Sequence, residues 1–422
     1  MNLIEKILAR KSNLPKVEVG QVIEVDVDLS MANEATMQLN TSIFTNKLNA
    51  KKVWDNKKIV IIADHQVPAD SINTARVHKL TKEFAESQGI EKLHMSDGVC
   101  HQIMLEKYVL PGQFVVGADS HTCSYGAIGA FSTGMGSTDI AYSWATGKVW
   151  VKVPETIKIT LDGEKKPGVS AKDIILYIIG MISAEGASYC CIEFFGEGIQ
   201  NLQVHERITI CNMLIEAGAK AGIILPDQKV VDYLKEERGI DFDLESVNWM
   251  RPDSDAKYSR EIRINLSDIE PQIAFPHNVD NTKGVSEIEE ILIDEAFIGA
   301  CTNGRIEDLR EAAEILKGKK IHSNVRLLIT PSSRNVYKKA IEEGLIEIFM
   351  DAGAIVNHPA CSTCWGACQG ILCEGERLIT TANRNFKGRA GSPDSFIYLA
   401  SPQTVAASAI AGKITDHRGG QS

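Results

Sequence analysis

The chain has 422 residues, of which 44% are hydrophobic, 24% charged and 6% aromatic, a balance that excludes wholesale disorder and fibrous architecture. At roughly 100–200 residues per domain it carries material for two to four domains. Forty-five Lys and Arg against 55 Asp and Glu leave a net charge of −10, which repels phosphate backbones and anionic lipid but leaves small anionic metabolites open as ligands.

Residues 1–13 read as a short amphipathic helix with Leu3, Ile4, Ile7 and Leu8 on one face, without the apolar core or cleavage site of a signal peptide. The most apolar stretch, residues 174–182, is about half the length needed to span a bilayer, so a soluble, cytoplasmic chain is expected. Ten cysteines in such a chain should stay reduced. Cys190, Cys191 and Cys211 lie in apolar runs and read as small core residues.

From residue 58 onward, short β-branched runs alternate with helical patterns, the signature of parallel sheets covered by helices. Strands are expected at 59–63, 114–117, 157–161, 191–195, 296–300, 325–330 and 378–381. Helices are expected at 71–87, 171–184, 305–316, 335–343 and 402–411, the last capped by Ser401 with Pro402 at its first position. Turn-forming residues near Val153-Pro154 and Pro276-His277-Asn278 divide the chain into three α/β domains, 1–154, 155–280 and 281–422. Ligands of open α/β sheets bind beyond the carboxyl ends of strands, where the polar residues of interest cluster.

Cys301 in IGACTNG ends one strand, and Cys361 and Cys364 share the loop PACSTCWG. Structural zinc sites and electron-transfer iron–sulfur clusters normally close with four protein ligands; three thiolates suggest a metal site left open, where a Lewis acid can activate a hydroxyl. The C-x-x-C pair alone equally suits a redox dithiol or a zinc knuckle, and Cys368 or Cys373 could supply a fourth ligand.

A second group, Asp64-His65, His101 and Asp119-Ser120-His121, suits proton transfer near neutral pH, or a mononuclear metal. Arg384 and Arg389 in NRNFKGR, beside Asn383 and Asn385, suit the two carboxylates of a diacid. Asn212 and Glu216 stand four apart, as on one helix face, and a Glu there is costly to bury unless paired. The Gly-rich GAIGAFSTGMGSTD lacks the ending of a nucleotide-binding loop and reads as backbone packed closely around Asp119–His121.

The segments DHQVPADS, GVCHQI, GADSHTCSYGAIGAFSTGMGSTD, CNMLIEAGAK, IGACTNGR, CSTCWGACQG and NRNFKGR together resemble the aconitase superfamily over essentially the whole chain. Their order and spacing are similar to the large subunits of its members that act on isopropylmalate and homocitrate. The resemblance implies a hydro-lyase that isomerises a hydroxy diacid by dehydration and rehydration, 2-isopropylmalate first among the substrates, with homocitrate, citramalate and dimethylmalate as alternatives. It implies a [4Fe–4S] cluster on Cys301, Cys361 and Cys364 with one iron open, and Asn212 and Asn383 hydrogen-bonding the cluster or its ligands. His101–Asp119 and Asp64–His65 match acid–base pairs, the latter protonating the departing hydroxyl. His121 and Glu216 match positions handling iron-bound water, and Ser120, Arg384 and Arg389 positions around the substrate carboxylates.

The family's swivelling fourth domain, with its serine base, has no counterpart before Ser422, so a separate small subunit is the expected partner. Where the family shows Asn- or His-Asp-x-Thr followed by Pro, this chain has Asn33-Glu34-Ala35-Thr36-Met37-Gln38, which leaves the substrate open and makes Asn33 a candidate substrate-binding residue. An iron-responsive RNA-binding role, taken by some family members, is opposed by the charge.

Overall fold

A computed structural model describes residues 1–419. Its strands form three main sheets and one antiparallel ribbon, Val22–Asp26 with Lys148–Lys152. The first sheet is wholly parallel, in the order Leu93–His94, Ile59–Ile62, Leu29–Asn33, Phe114–Gly117, Phe131–Gly134. Ile59–Ile62 is buried at every position, as parallel strands covered on both faces must be. The second sheet is also parallel, in the order Ala221–Ile224, Cys191–Phe195, Thr156–Asp162, Arg260–Asn265.

The third sheet has seven strands. Five are parallel, in the order Phe396–Leu399, Arg377–Thr380, Glu295–Ile298, Arg326–Ile329, Ile355–Val356. Gln272–Ala274 and Thr282–Gly284 extend it antiparallel, and so lie on either side of the expected break near residue 280. The expected strands form within one or two residues of their expected ends.

The N-terminal helix runs Leu3–Lys11 with Leu3, Ile4, Ile7 and Leu8 buried, as its pattern required, and Asn2 closes a capping box with Glu5. Ile72–Gln88, Ala171–Ile182, Ile306–Leu316, Arg334–Glu342 and Pro402–Ala411 are the helices anticipated at these places. Ser401 stands at the N-cap of the last but makes no side-chain cap bond; its hydroxyl pairs with that of Thr404 instead. No helix among the described residues is long and apolar enough to cross a membrane.

The apolar stretch at 174–182 belongs to the helix Ala171–Ile182, which is buried along nearly its whole length. It lies in a core that joins Met31 and Val60 of the first sheet, Ile157 and Ile192 of the second, and Phe297 and Leu399 of the third. The three sheets therefore share apolar packing. A second cluster fills the remainder of the first sheet and a third that of the last.

Strand order reverses between Leu29–Asn33 and Phe114–Gly117 in the first sheet, and between Glu295–Ile298 and Arg377–Thr380 in the third. At such switch points the connections leave in opposite directions and open a crevice at the carboxyl ends. Asn33 and Asp119 flank the first; Cys301 and Asn383 follow the strands that bound the second.

Candidate active site

One small cavity, of about 30 Å³, is lined by His65, Cys100, His101, Asp119, His121, Cys301, Cys361, Cys364, Trp365, Asn383 and Arg389, with Val99. Residues from the first and third sheets thus meet at one place, and the three anticipated cysteines lie on its wall. Cys100, at the start of the helix Cys100–Lys107, is a further thiol there that sequence reasoning passed over. Cys368 is off this wall with its thiol toward the His65 carbonyl, and Cys373 is exposed.

Two positive-φ residues stand beside the cysteines: Ala300 at φ 67° immediately before Cys301, and Ser362 at φ 53° immediately after Cys361. Non-glycine residues in this region carry a backbone cost that surrounding structure must overcome. The Cys361 N–H donates to the Asp64 carbonyl at 2.7 Å, tying the cysteine loop to the first sheet.

The sulfurs meet hydrogen-bond donors. Cys301 Sγ receives Asn212 Nδ2 at 3.2 Å and Asn383 Nδ2 at 3.4 Å, and Cys364 Sγ receives Arg389 at 3.6 Å. Burial and then the Cys364 charge push the Cys301 thiol up to about 12, and burial with Asp64 pushes Cys361 well up. Buried thiols in this state become thiolates when a cation compensates them.

Ligand atoms of Asp64, His65 and Cys361 lie within 4.8 Å of one another, as do those of His101, His121 and Cys301. The site can hold metal. The soft sulfur set with N–H donors aimed at it fits an iron–sulfur cluster.

The residues anticipated as acid–base pairs stand within hydrogen-bond distance of one another. His65 Nδ1 lies 2.7 Å from Asp64 Oδ1, and Asp64 Oδ2 accepts the Cys100 N–H at 2.6 Å. Burial disfavours the His65 imidazolium, but the Asp64 and Glu34 carboxylates more than offset it and raise its pKa to about 9. Burial likewise works against the Asp64 carboxylate, and His65 with the Cys100 N–H holds it below the usual range.

His101 Nε2 lies 2.8 Å from Asp119 Oδ1, and its Nδ1 lies 3.0 Å from the Tyr125 hydroxyl. Burial opposes ionisation of Asp119, yet His101 and His121 hold it well below the carboxylate range. Tyr125, fully buried in the 3-10 helix Ser120–Ile128, is a second residue of the site missed from sequence, because a Tyr among Gly and Ser carries no periodic signal.

Asn212 and Glu216 do not share one α-helix. The helix Val204–Met213 tightens into a 3-10 turn, Leu214–Ala217, so the two side chains diverge. Asn212 turns to Cys301, Ser124 and Thr302. Glu216 turns to His121 Nε2 at 2.9 Å and Arg384 Nε at 2.8 Å, and these overcome burial to keep it below its ordinary pKa.

Arg384 also donates to Ser120 Oγ at 2.9 Å; Asp64, Asn212, Glu216, Ser120 and Arg384 thus stand behind the wall residues. Arg389 is on the wall, and its Nε, though buried, has no partner among the described residues. Asn33 is not on the wall; its Oδ1 is buried and unpartnered.

Glu34 has a role its position did not announce. Its carboxylate accepts the successive N–H groups of Asp64 at 3.0 Å, His65 at 2.7 Å and Gln66 at 2.8 Å. The Gly-rich segment contains the strand Phe131–Gly134, and a Cβ on Gly134 would stand 2.6 Å from the Asp119 carbonyl, so it does pack against that turn.

Residues 5–290 and 281–412 match the model of the aconitase family (aconitate hydratase). The chain is 47% identical to the 3-isopropylmalate dehydratase large subunit 1 of Methanopyrus kandleri, over 99% of this chain and 98% of that one. It is also 47% identical to the methanogen homoaconitase large subunit of Methanocaldococcus jannaschii, over 99% of each. Among solved structures, the aconitase X of Thermococcus kodakaraensis shares the fold, with a TM-score of 0.52 at 13% identity over 88% of both chains. The chain belongs to the aconitase family of hydro-lyases.

Proposed function

We propose that this chain is the large subunit of a 3-isopropylmalate dehydratase, interconverting 2-isopropylmalate and 3-isopropylmalate on the route to leucine, with a small subunit as partner. The observation that carries the chemistry is the meeting of Cys301, Cys361 and Cys364 with His65, His101 and Arg389 around one cavity. The near full-length relatives named 3-isopropylmalate dehydratase large subunit support the substrate and the partner. A homoaconitase is the second reading, resting on the equally similar methanogen relative.

Cys301, Cys361 and Cys364 would hold a [4Fe–4S] cluster, with Asn212 and Asn383 hydrogen-bonding its sulfur ligands. Bound there, such a cluster supplies an iron with an open position, a Lewis acid that makes a substrate hydroxyl a better leaving group. His65, charged at neutral pH and fixed through Nδ1 by Asp64, donates the Nε2 proton to the departing hydroxyl. Arg389, with its unpartnered Nε, binds one substrate carboxylate. Arg384 and Ser120 support the other side from behind the wall. The pairs His101–Asp119 and His121–Glu216 keep both imidazoles oriented for proton exchange with water.

The test is a hydration assay of the anaerobically reconstituted chain with its small subunit, comparing isopropylmaleate, cis-homoaconitate, cis-aconitate and citraconate. A wide margin for isopropylmaleate is expected. Preference for cis-homoaconitate would move the assignment to the second reading.

A further inference from the structure

Lys172 is fully buried, at the second position of the helix Ala171–Ile182. Its ammonium donates to the carbonyls of Thr381 at 2.7 Å and Ala382 at 2.6 Å, the two residues between the strand Arg377–Thr380 and Asn383. A buried cation without a counter-charge costs several kcal/mol, and a helix N-terminus, the positive end of the macrodipole, disfavours it further.

The adjacent Asp173 is occupied elsewhere. Its Oδ1 accepts the Gln272 N–H at 2.9 Å, and its Oδ2 accepts the Ser170 N–H at 2.7 Å and hydroxyl at 2.9 Å. No carboxylate among the described residues forms an ion pair with Lys172. The groups that pull hardest toward its charged form, against a burial that draws its pKa down to about 7, are Cys364 and then Cys301.

We infer that Lys172 is a positioning residue whose buried charge is the counter-charge of the cluster's thiolates, acting through the Thr381–Ala382 backbone that delivers Asn383 to Cys301. The inference rests on the cluster reading above. In the loaded protein the cysteines are held as thiolates, whose charge stabilises the ammonium; in the cluster-free protein it is a cost. A positive charge so placed favours the reduced, more negative cluster, so removing it lowers the midpoint potential of the one-electron couple and weakens retention of iron.

The experiment compares wild type, Lys172→Gln, Lys172→Met and Lys172→Arg, each anaerobically reconstituted. Iron and sulfide are determined first; wild type without both would overturn the cluster reading itself, separately from the role of Lys172. With the cluster present, the neutral variants are expected to show a more negative potential by voltammetry and faster bleaching by a chelator, while Lys172→Arg stays near wild type on both. Lys172→Gln retains a donor for one carbonyl, which separates the charge from the hydrogen bond. A wild-type potential in the loaded Gln variant overturns the inference. So does failure of both neutral variants to fold without the cluster, because the charge would then be a support of that fold rather than a cost.

Discussion

At the scale of single residues, Glu34 shows how a side chain just behind the cavity wall, 3.8 Å from the His65 ring, orients those on it. Three N–H groups converge on its carboxylate, and hydrogen bonds to a charged group are worth about 1.5–3 kcal/mol each. Glu34→Ala is expected to cut kcat by about tenfold to a hundredfold, because His65 loses its station, with the cluster's visible absorption kept and KM little changed. Glu34→Gln, which keeps acceptor oxygen but loses charge, should recover part of the rate; a wild-type rate in the Ala variant would remove Glu34 from the mechanism. For the cluster, Ser at Cys301, Cys361 or Cys364 should abolish visible absorption, and Cys368→Ser should preserve it. Loss of the spectrum in Cys368→Ser or Cys100→Ser would redraw the ligand set. The cysteines, histidines and arginines were legible in sequence because their chemistry is scarce and they sit at strand ends. Glu34 was not, because its role depends on the reach of one carboxylate to a turn thirty residues on.

Among elements, the N-terminal helix Leu3–Lys11 depends on a strand far along the chain. Glu193, in the middle of Cys191–Phe195, accepts the Ile4 N–H at 3.0 Å and the Tyr258 hydroxyl at 3.0 Å. Burial is the main reason its pKa rises from 4.5 to about 7. Between these values the folded protein keeps a proton that the unfolded chain has released, so this group's contribution is complete below pH 4.5 and lost as pH rises through 7. At 1.36 kcal/mol per pKa unit the span is worth up to about 3 kcal/mol. Glu193→Gln should therefore stay within about 1 kcal/mol of wild type at pH 5 and exceed it by about 1–3 kcal/mol at pH 8 in urea unfolding. Equal stabilities at pH 8 would mean that Glu193 titrates normally. The elements read best from sequence were strands such as Ile59–Ile62, buried on both faces and β-branched. The central strand Leu29–Asn33 went unread because Leu, Ser, Met, Ala and Asn have little β-tendency; its neighbours on both sides impose the conformation. The 3-10 turn that separates Asn212 from Glu216 was invisible for a similar reason, since an Asn and a Glu four apart fit an α-helix equally well.

For the whole molecule, the two switch points face one cavity, and they bring His65, His101, Asp119 and His121 to its wall. Dehydration needs a donor for the leaving hydroxyl and a base for a proton on carbon. Asp64 and Glu34 overcome burial to raise the His65 pKa to about 9, which would suit it to the first task. His101 is engaged through both ring nitrogens, by Asp119 and Tyr125, and Glu216 by His121 and Arg384; His121 keeps its Nδ1 without a hydrogen bond among the described residues, and we propose that the proton on carbon is taken by a base of the small subunit. General base catalysis contributes about 10²–10⁴-fold. The reconstituted chain alone is therefore expected to show the cluster's absorption yet hydrate isopropylmaleate about 10²–10⁴-fold more slowly than its mixture with the small subunit. Titrating that subunit in should restore the rate saturably, as expected of a base supplied by it. Full activity from the isolated chain would instead place the base within this chain, and His121, which lines the cavity with its Nδ1 free of hydrogen bonds among the described residues, would be the first residue to substitute.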